Sequence, residues 1–557
     1  MPRVTYAEIK HRLIDETAKP EAIYNMSDKL PVSSYNQIKN DTYIVDTDSR
    51  AMLENNYWVL DGSLQLVPED PSEITWGLWS NSLSDDNGDF TINPELNVTF
   101  ENVHTSSGIK FTFSGDTFPK QIVITWYHNE TALTEKTYFV VSAMSCFADL
   151  TVENYNALSV EFIGTATPNR RVKIVEIDYG ETKVWGKGSL ISANVLEEIN
   201  LASNEVSINT IDFTIHDADA EFNMLNPSGV YSALQQKQAL TVTEYVNGEA
   251  FPMGKFYLDT WKNSSSVVAS FTAFDAIGLF DTITYKTSAL WSGTAASAVF
   301  ADIFAAAGWT DYTIEDEIAT ELVYGYIPVV TVREALHQLC FALHAACIPN
   351  RNGVVEIKRL PSDADAVTIE KSQKSGSQSI TQNALINSVA VTAYSFETGS
   401  SKQLYNESLA VGTYVITFES PATGISASGA TINANGVNYA SINVNTAGTV
   451  TINGYEITAN ASVHIYEAPD LTDISRAQAT VDSIYLISSY NAAALAQYLY
   501  EDYQRRIVQS FTLALEDETA GDNVDVDTML GARKTGVITK LDIDLTGGFL
   551  ADCEVRG

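Results

Sequence analysis

The sequence has few of the residues on which several common protein functions depend. Its 557 residues include four cysteines, too few for a disulfide framework, which favours folding in a reducing cytoplasm. The 33 basic residues stand against 70 acidic ones and give a formal net charge of −37. Because phosphate binding requires clustered lysine and arginine, this balance argues against a nucleic-acid-binding protein.

Long apolar runs and catalytic motifs are also missing. No stretch approaches the roughly 20 apolar residues of a membrane-spanning helix, and residues 1–24 lack the apolar segment of a signal peptide. The sequence contains no HExxH motif, GxSxG elbow, Walker loop or glycine-rich dinucleotide fingerprint. We therefore expect no enzyme, no cofactor and no membrane span.

The residues that are abundant predict strands. Thr, Val, Ile, Tyr and Asn dominate over helix formers, so we predict a mainly β (α+β) fold. A chain of this length divides into about three or four domains. Residues 1–42 are expected to be an N-terminal arm, and residues 43–180 have strands at roughly ten-residue spacing, as in an antiparallel β-sandwich.

Two later regions differ in composition from the strands around them. Residues 291–365 predict a small α/β module, in which the first helix ends at Gly308. Residues 396–470 are almost uncharged but keep a strict alternation, which predicts an inserted β domain. Within it, Asn435-Gly436 and Asn453-Gly454 are type I′ hairpin signals.

Two acidic stretches resemble metal sites. In residues 216–221, an EF-hand loop counted from Asp217 would need glycine where Phe222 stands. In residues 85–89, Gly88 comes one residue too early for such a loop. Solvated turns at strand ends are the favoured interpretation of both, and we predict no metal.

The sharpest catalytic candidate is a helical stripe of His337, Cys340, His344 and Cys347. Residues ten apart on a helix are separated by about 15 Å along its axis, so this helix alone cannot supply four ligands to one ion. The stripe continues to Val332 and Leu336, as a core-facing side would. Packing in the core is the favoured interpretation, with metal or thiol chemistry as the alternative.

Several consecutive motifs resemble those of the tail hub proteins of tailed phages and related contractile particles. They include "FTIHDADAEF", "NPSGVYSALQQKQALTV", "MGKFYLDTW", "SFTAFDAIGLFD", the helix "VTVREALHQLCFALHA" and the ending "GVITKLDIDLTGGFLADCEV". The resemblance covers most of residues 181–395 and 475–557. The first domain is similar to the discoidin-type sandwich often joined to such hubs.

This resemblance implies a homotrimer, because each hub subunit contributes two tube-type β domains and three subunits continue a six-fold tail tube. The two domains would be residues 181–290, and residues 366–395 with 471–557. Expected partners are tail tube or distal tail proteins, tail-tip or fibre proteins, and DNA that passes without specific binding. The expected location is the virion tail or baseplate, after folding in the host bacterial cytoplasm. Because the chain ends after the second tube-type domain, a fused cell-wall hydrolase is not expected.

Two alternative functions remain open at this point. A tail-tip carbohydrate-binding adhesin would use aromatic side chains of the first domain, for which Tyr57, Trp76 and Trp79 are the candidate contacts with a host surface glycan. Aromatic residues of a sandwich are more often part of its core. A tail-associated cell-wall hydrolase would need a catalytic domain hidden in the first domain or in the insert.

Overall fold

The chain is mainly β and multidomain, as its composition predicts. The computed structural model describes residues 3–15, 17–38, 77–115, 117–140, 146–200, 206–226, 233–360, 366–469, 471–472, 475–528 and 531–557. Within these ranges the strands form one sheet of thirteen strands, one of seven, and smaller sheets of two to four. No helix of the described ranges is long and apolar enough to cross a membrane.

The N-terminal part of the chain builds most of the seven-stranded sheet. Its elements are β1 (Thr5–Ile14), α1 (Ala18–Glu21), β2 (Ile23–Met26), β3 (Leu78–Trp79), β4 (Glu95–Phe113), β5 (Gln121–His128), β6 (Thr131–Phe139), β7 (Cys146–Ile163) and β8 (Lys173–Asp178). Neighbouring strands are hydrogen-bonded in the order β3-β8-β4-β7-β5-β6, and β2 pairs with β4. Register shifts between β4 and β7 mark bends, so the described strands of the expected sandwich are one continuous sheet around one core.

The thirteen-stranded sheet, which we call the large sheet, begins with the next segment of the chain. The elements of this segment are β9 (Gly180–Trp185), β10 (Leu190–Glu198), β11 (Thr210–His216), β12 (Ala239–Val246), β13 (Glu249–Ser265), β14 (Val268–Phe274) and α2 (Ala276–Phe280). The order β9-β1-β12-β13-β14-β11-β10 forms its first half. Ile211, Phe213 and Ile215 face the core, whereas Asp212 and Thr214 alternate with them on the open side.

The expected α/β module follows. Its elements are β15 (Thr284–Tyr285), β16 (Trp291–Ala295), α3 (Ala296–Ala307), β17 (Tyr312–Ile314), α4 (Asp316–Ala319), β18 (Leu322–Gly325), β19 (Val330–Thr331), α5 (Val332–Ala342), β20 (Ala346–Pro349) and β21 (Val355–Lys358). The predicted end of α3 is confirmed, because Gly308 adopts the left-handed conformation with a φ of 64°.

A long two-stranded ribbon carries the insert. The elements are β22 (Val367–Ile369), β23 (Lys374–Gln382), β24 (Ser388–Leu409), β25 (Gly412–Thr417), β26 (Ala422–Ser428), β27 (Thr431–Gly436), β28 (Tyr439–Val444), β29 (Gly448–Glu467) and β30 (Gln478–Val481). β24 and β29 pair along their length, and β25 to β28 pack at the far end around a small core.

One of the two predicted hairpins of the insert is wrong. The other hairpin forms, but its turn is displaced from the prediction, because Asn435-Gly436 ends β27 and the chain turns at Val437 and Asn438. Asn453-Gly454, however, lies inside β29, opposite Lys402 and Gln403 of β24. Gly454 packs closely there, since an added Cβ would lie 2.9 Å from side-chain atoms of Leu404 and Ile425, and the strand continues through it without a turn.

The last elements complete the large sheet. They are α6 (Ala492–Gln504), β31 (Ile507–Ala514), β32 (Asn523–Asp527), β33 (Arg533–Asp544) and β34 (Leu550–Arg556). β33, β34, β31 and β23 form the second half of the sheet, to which β32 and β22 are attached. The halves join where β10 pairs with β33, which we call the seam, and their buried side chains form one continuous core.

The N-terminal strand belongs to the large sheet. β1 pairs with both β9 and β12 and places Ile9 and Leu13 in the core of that sheet. The N–H of Asp15 donates to the carbonyl oxygen of Tyr179 at 2.9 Å. The seven-stranded domain therefore leaves and rejoins the large sheet at adjacent points, and the expected arm of residues 1–42 is divided between the two units.

Candidate functional surface

The open side of the seam carries a group of carboxylates, which we call the acidic face. Core residues alternate with polar ones along each strand, so the polar residues of neighbouring strands collect on one side. The acidic face consists of Glu198 (β10), Asp212 (β11), Asp542 and Asp544 (β33), and Asp552 and Glu554 (β34).

Threonine hydroxyls border these carboxylates. Thr512 Oγ1 donates to Asp552 Oδ1 at 3.0 Å, and Thr272 Oγ1 donates to Asp212 Oδ1. Next to them, Thr214 and Ser270 share a hydroxyl–hydroxyl hydrogen bond of 3.0 Å. The surface around the seam is therefore made of carboxylates and small hydroxyl side chains.

Three basic side chains lie beside the acidic face, of which Lys540 and Arg556 are engaged, whereas Lys262 of β13 is exposed on the same side, opposite Ser270. Lys540 Nζ is 3.1 Å from Glu198 Oε1, and the hydrogen bond and charge of Glu198, with the charge of Glu554, raise the pKa of Lys540. Arg556 donates to the carbonyl oxygens of Arg505 at 2.7 Å and Asp502 at 3.2 Å. Lys540 and Arg556 are therefore both held in contacts within the chain.

The sequence held a signal for this surface that motif searches do not use. In "TKLDIDL" and "ADCEV" the acidic residues alternate with core residues at a period of two, which assigns the acids to one side of a strand. That β33, β34, β10 and β11 lie next to each other depends on long-range pairing, which the sequence does not display.

The two acidic turns are built by hydrogen bonds within the turns. Asp217 accepts from the N–H groups of Glu221 at 3.0 Å and Phe222 at 2.8 Å. Asp85 likewise accepts from two backbone N–H groups, and Lys120 Nζ lies 2.7 Å from Asp89 Oδ1. In the ranges that the structure describes, no group of three or more His, Cys, Asp or Glu residues could hold a metal ion.

The predicted single helical stripe is wrong, because α5 ends at Ala342, His344 has a φ of 51° and Cys347 lies in β20. Cys340 and Cys347 are nevertheless buried, and a hydrogen bond to Cys340 together with burial raises the pKa of the Cys347 thiol well above its usual value. Burial lowers the pKa of His337 to about 4, so its ring is neutral. His344 lies in the turn after α5, 3.2 Å from Asp502 of α6, and stacks on Tyr498. All four line one cavity between α5, α6 and the seam.

The candidate glycan contacts of the first domain are only partly described. Tyr57 and Trp76 lie outside the described residues. Trp79 is 3% exposed, in β3, and the Lys173 ammonium lies 4.4 Å from its ring centroid. Because Trp79 is buried and one side of its ring is covered, it offers no open aromatic surface to a sugar.

Comparisons with known proteins give distant structural similarities only. No protein-family profile and no curated protein matches the chain. The chain is similar to the 43 kDa tail protein of prophage MuSo2 from Shewanella oneidensis, with 9% identity, a TM-score of 0.39, and coverage of 67% of this chain and 93% of that one. A tail protein from Neisseria meningitidis MC58 gives 10% identity, a TM-score of 0.39, and coverage of 66% and 92%.

A third similar structure is the prophage tail protein gp18 from Listeria monocytogenes EGD-e. It gives 11% identity, a TM-score of 0.38, and coverage of 68% of this chain and 91% of that one. At these identities and TM-scores, the similarities establish no function for this chain.

Proposed function

We propose that this chain is a structural hub protein of a phage or phage-like tail, which forms a trimeric ring between tail tube and tail tip and lets DNA pass. The observation that carries the proposal is the acidic face. Six carboxylates lie on the open side of the seam against three basic side chains, and two of these, Lys540 and Arg556, are already engaged.

The physical argument concerns the walls of a DNA channel. Double-stranded DNA carries one negative charge per roughly 1.7 Å of its axis, so clustered cations would hold it in place. Carboxylates repel phosphates over a Debye length of about 8 Å at physiological salt. A channel lined by the acidic face would therefore let DNA move without specific binding.

The two-part construction of the large sheet also supports a ring. Each chain contributes two half-sheets that meet at the seam. Three chains would place six half-sheets around one axis, which suits a six-fold tube. The sequence motifs that resemble tail hubs lie largely in these half-sheets.

The role we propose is structural, not catalytic, and its place is the virion. Tail tube or distal tail proteins would lie on one side of the ring, and tail-tip or fibre proteins on the other. The adhesin gains no specific support from the described residues, because Trp79 is buried.

Charge reversal in the virus tests the proposal. Replacing Asp542→Lys together with Asp552→Lys puts two cations on the acidic face. We expect particles that assemble and package DNA but deliver it poorly. The matched control is Glu130→Lys with Glu135→Lys, two exposed acids of the β5–β6 hairpin of the N-terminal domain. If both variants deliver DNA as well as the native particle, the proposed role of the acidic face is wrong.

A further inference from the structure

The second half of β29 presents an apolar strip to solvent. Along residues 458–465 polar side chains alternate with apolar ones, and the strip consists of Ala459, Ala461, Val463 and Ile465. Such alternation is typical of a strand with one buried side. All eight residues are nevertheless exposed, Val463 by 61% and Ile465 by 49%. The pattern therefore fits a surface that is covered in the assembled protein, but no described residue of this chain covers it.

The same segment is an open sheet edge. β24 pairs with it on one side in unbroken register from Ser388–Glu467 to Thr398–Ile457. On the other side β26 pairs with β29 only as far as Glu456, and no other strand follows in the described ranges. Open edges are normally protected by charges, prolines or bulges, but residues 458–465 have no Asp, Glu, Lys, Arg or Pro and no bulge.

We propose that this edge binds a second copy of the chain, through strand β23 of that copy. This inference rests on the proposed function, because a trimeric ring needs two different surfaces that meet head to tail. An isologous contact of the β29 edge with itself would give a closed dimer.

Charge selects β23 as the complementary strand. Copies with a net charge of −37 repel each other, so contact is favoured where acids are missing. No Asp or Glu occurs between Glu370 and Glu397, a stretch that contains all of β23. β23 is the terminal strand of the large sheet, and in the described ranges nothing pairs with its outer edge.

The exposed part of β23 is uncharged and carries an apolar side chain, as contact with the apolar strip requires. After a register shift that ends at Ser379, residues 379–382 pair regularly with β31 and have no charge. Ile380 is 42% exposed and can cover the strip near Val463. Backbone pairing of the two edges would add hydrogen bonds to this apolar contact.

Sedimentation of the full chain tests the surface. We expect Val463→Asp to abolish the trimer, because it places a charge in the strip. Ile92→Asp is the matched control, since Ile92 is an aliphatic residue that is 80% exposed in the N-terminal domain, and we expect it to leave the trimer intact. A trimer that persists with Val463→Asp would overturn the inference and leave the proposed hub function standing.

Cross-linking then identifies the partner strand. Two separately tagged full-length chains, one with Ile380→Cys and one with Val463→Cys, are mixed and treated with a short bismaleimide. We expect a hetero-cross-linked product that is lost when Ile92→Cys replaces Ile380→Cys. A product between two Val463→Cys chains, or no product above that control, would contradict β23 as the partner.

Discussion

Asp542 of β33 lies directly opposite Asp552 of β34 on the open side of the large sheet. Like charges in opposed positions destabilise a pair of strands. Asp552 accepts a hydrogen bond from Thr512 at 3.0 Å, whereas Asp542 has only a 3.4 Å contact with Asn194. The pair therefore does not serve the stability of the sheet, whereas the proposed function gives these two charges a role, as part of a surface that repels DNA.

Removing one of these charges should stabilise the fold. We expect Asp542→Asn to raise the free energy of unfolding by about 0.5 kcal/mol, because the opposed repulsion disappears. Urea unfolding at low and high salt measures this, and the gain should shrink at high salt. A variant that is less stable than the native protein at low salt would show that Asp542 has a stabilising role.

Arg351 joins the α/β module to the seam. It donates to both carboxylate oxygens of Glu197, at 2.7 and 3.1 Å, and to the carbonyl oxygen of Glu518. Both side chains are largely buried. We expect Arg351→Met to lower the free energy of unfolding by about 3 kcal/mol, because it leaves Glu197 buried without its partner.

Two further variants test whether the lower stability comes from the unpaired charge of Glu197 or from a general loss of packing. Adding Glu197→Met to Arg351→Met should recover most of the lost stability, since no buried charge remains. Lys358→Met breaks a more exposed ion pair with Glu356 and should cost less than about 1 kcal/mol. If the double variant is as unstable as Arg351→Met, the loss is not due to the unpaired charge.

His104 ties the N-terminal domain to the end of β1. Its Nδ1 lies 2.7 Å from Asp15 Oδ2, and its Nε2 lies 3.3 Å from Glu21 Oε2. Burial lowers the pKa of His104, but the two carboxylates outweigh burial and raise it above the ordinary 6.5. Burial raises the pKa of Asp15, but the hydrogen bonds from His104 and Thr17 outweigh it and lower the pKa below 3.8.

The raised pKa of His104 and the lowered pKa of Asp15 predict the pH range in which their ion pair stabilises the fold. The raised pKa of His104 gives stability that is fully present below pH 6.5 and is lost as the pH rises through the folded-state pKa. The lowered pKa of Asp15 gives stability that is present above pH 3.8 and is lost on further acidification. We expect the difference in unfolding free energy between the native protein and His104→Gln to be largest between pH 3.8 and pH 6.5. A difference that grows at alkaline pH would contradict the ion pair.

We expect that the N-terminal domain can be deleted without unfolding the large sheet, provided that β1 is kept. Replacing residues 16–178 with a short Gly-Ser turn joins Asp15 to Tyr179, whose backbones are already hydrogen-bonded. We expect the shortened chain to unfold cooperatively. Deleting residues 1–178 is the control, because it also removes the buried Ile9 and Leu13, each worth roughly 1.5–3 kcal/mol. Equal stability of the two variants would show that β1 is dispensable.

Local signals in the sequence predicted local features well. α3 ends at Gly308 as predicted, because the left-handed cap depends on that residue alone. Asn453-Gly454 failed as a turn signal because β29 continues through it, with Asn453 paired to β24 on one side and to β26 on the other. The burial of Cys340 followed from a helical stripe shared with Val332 and Leu336, whereas Cys347 is buried from β20, because the helix ends five residues before it.

Long-range pairing could not be predicted in the same way. β1 has the alternation of a strand, but nothing in residues 5–14 indicates that it inserts between β9 and β12. The acidic face depends on the same kind of information, because Asp212 and Asp542 come together only through the seam. The acids were visible in the sequence, but their common surface was not.

A reconstruction of the assembled particle tests the central claim most directly. The account predicts three copies of this chain around the tail axis, between tube and tip, with Asp542 and Asp552 facing the channel. A position away from the axis, or a ring in which these carboxylates face outward, would contradict it.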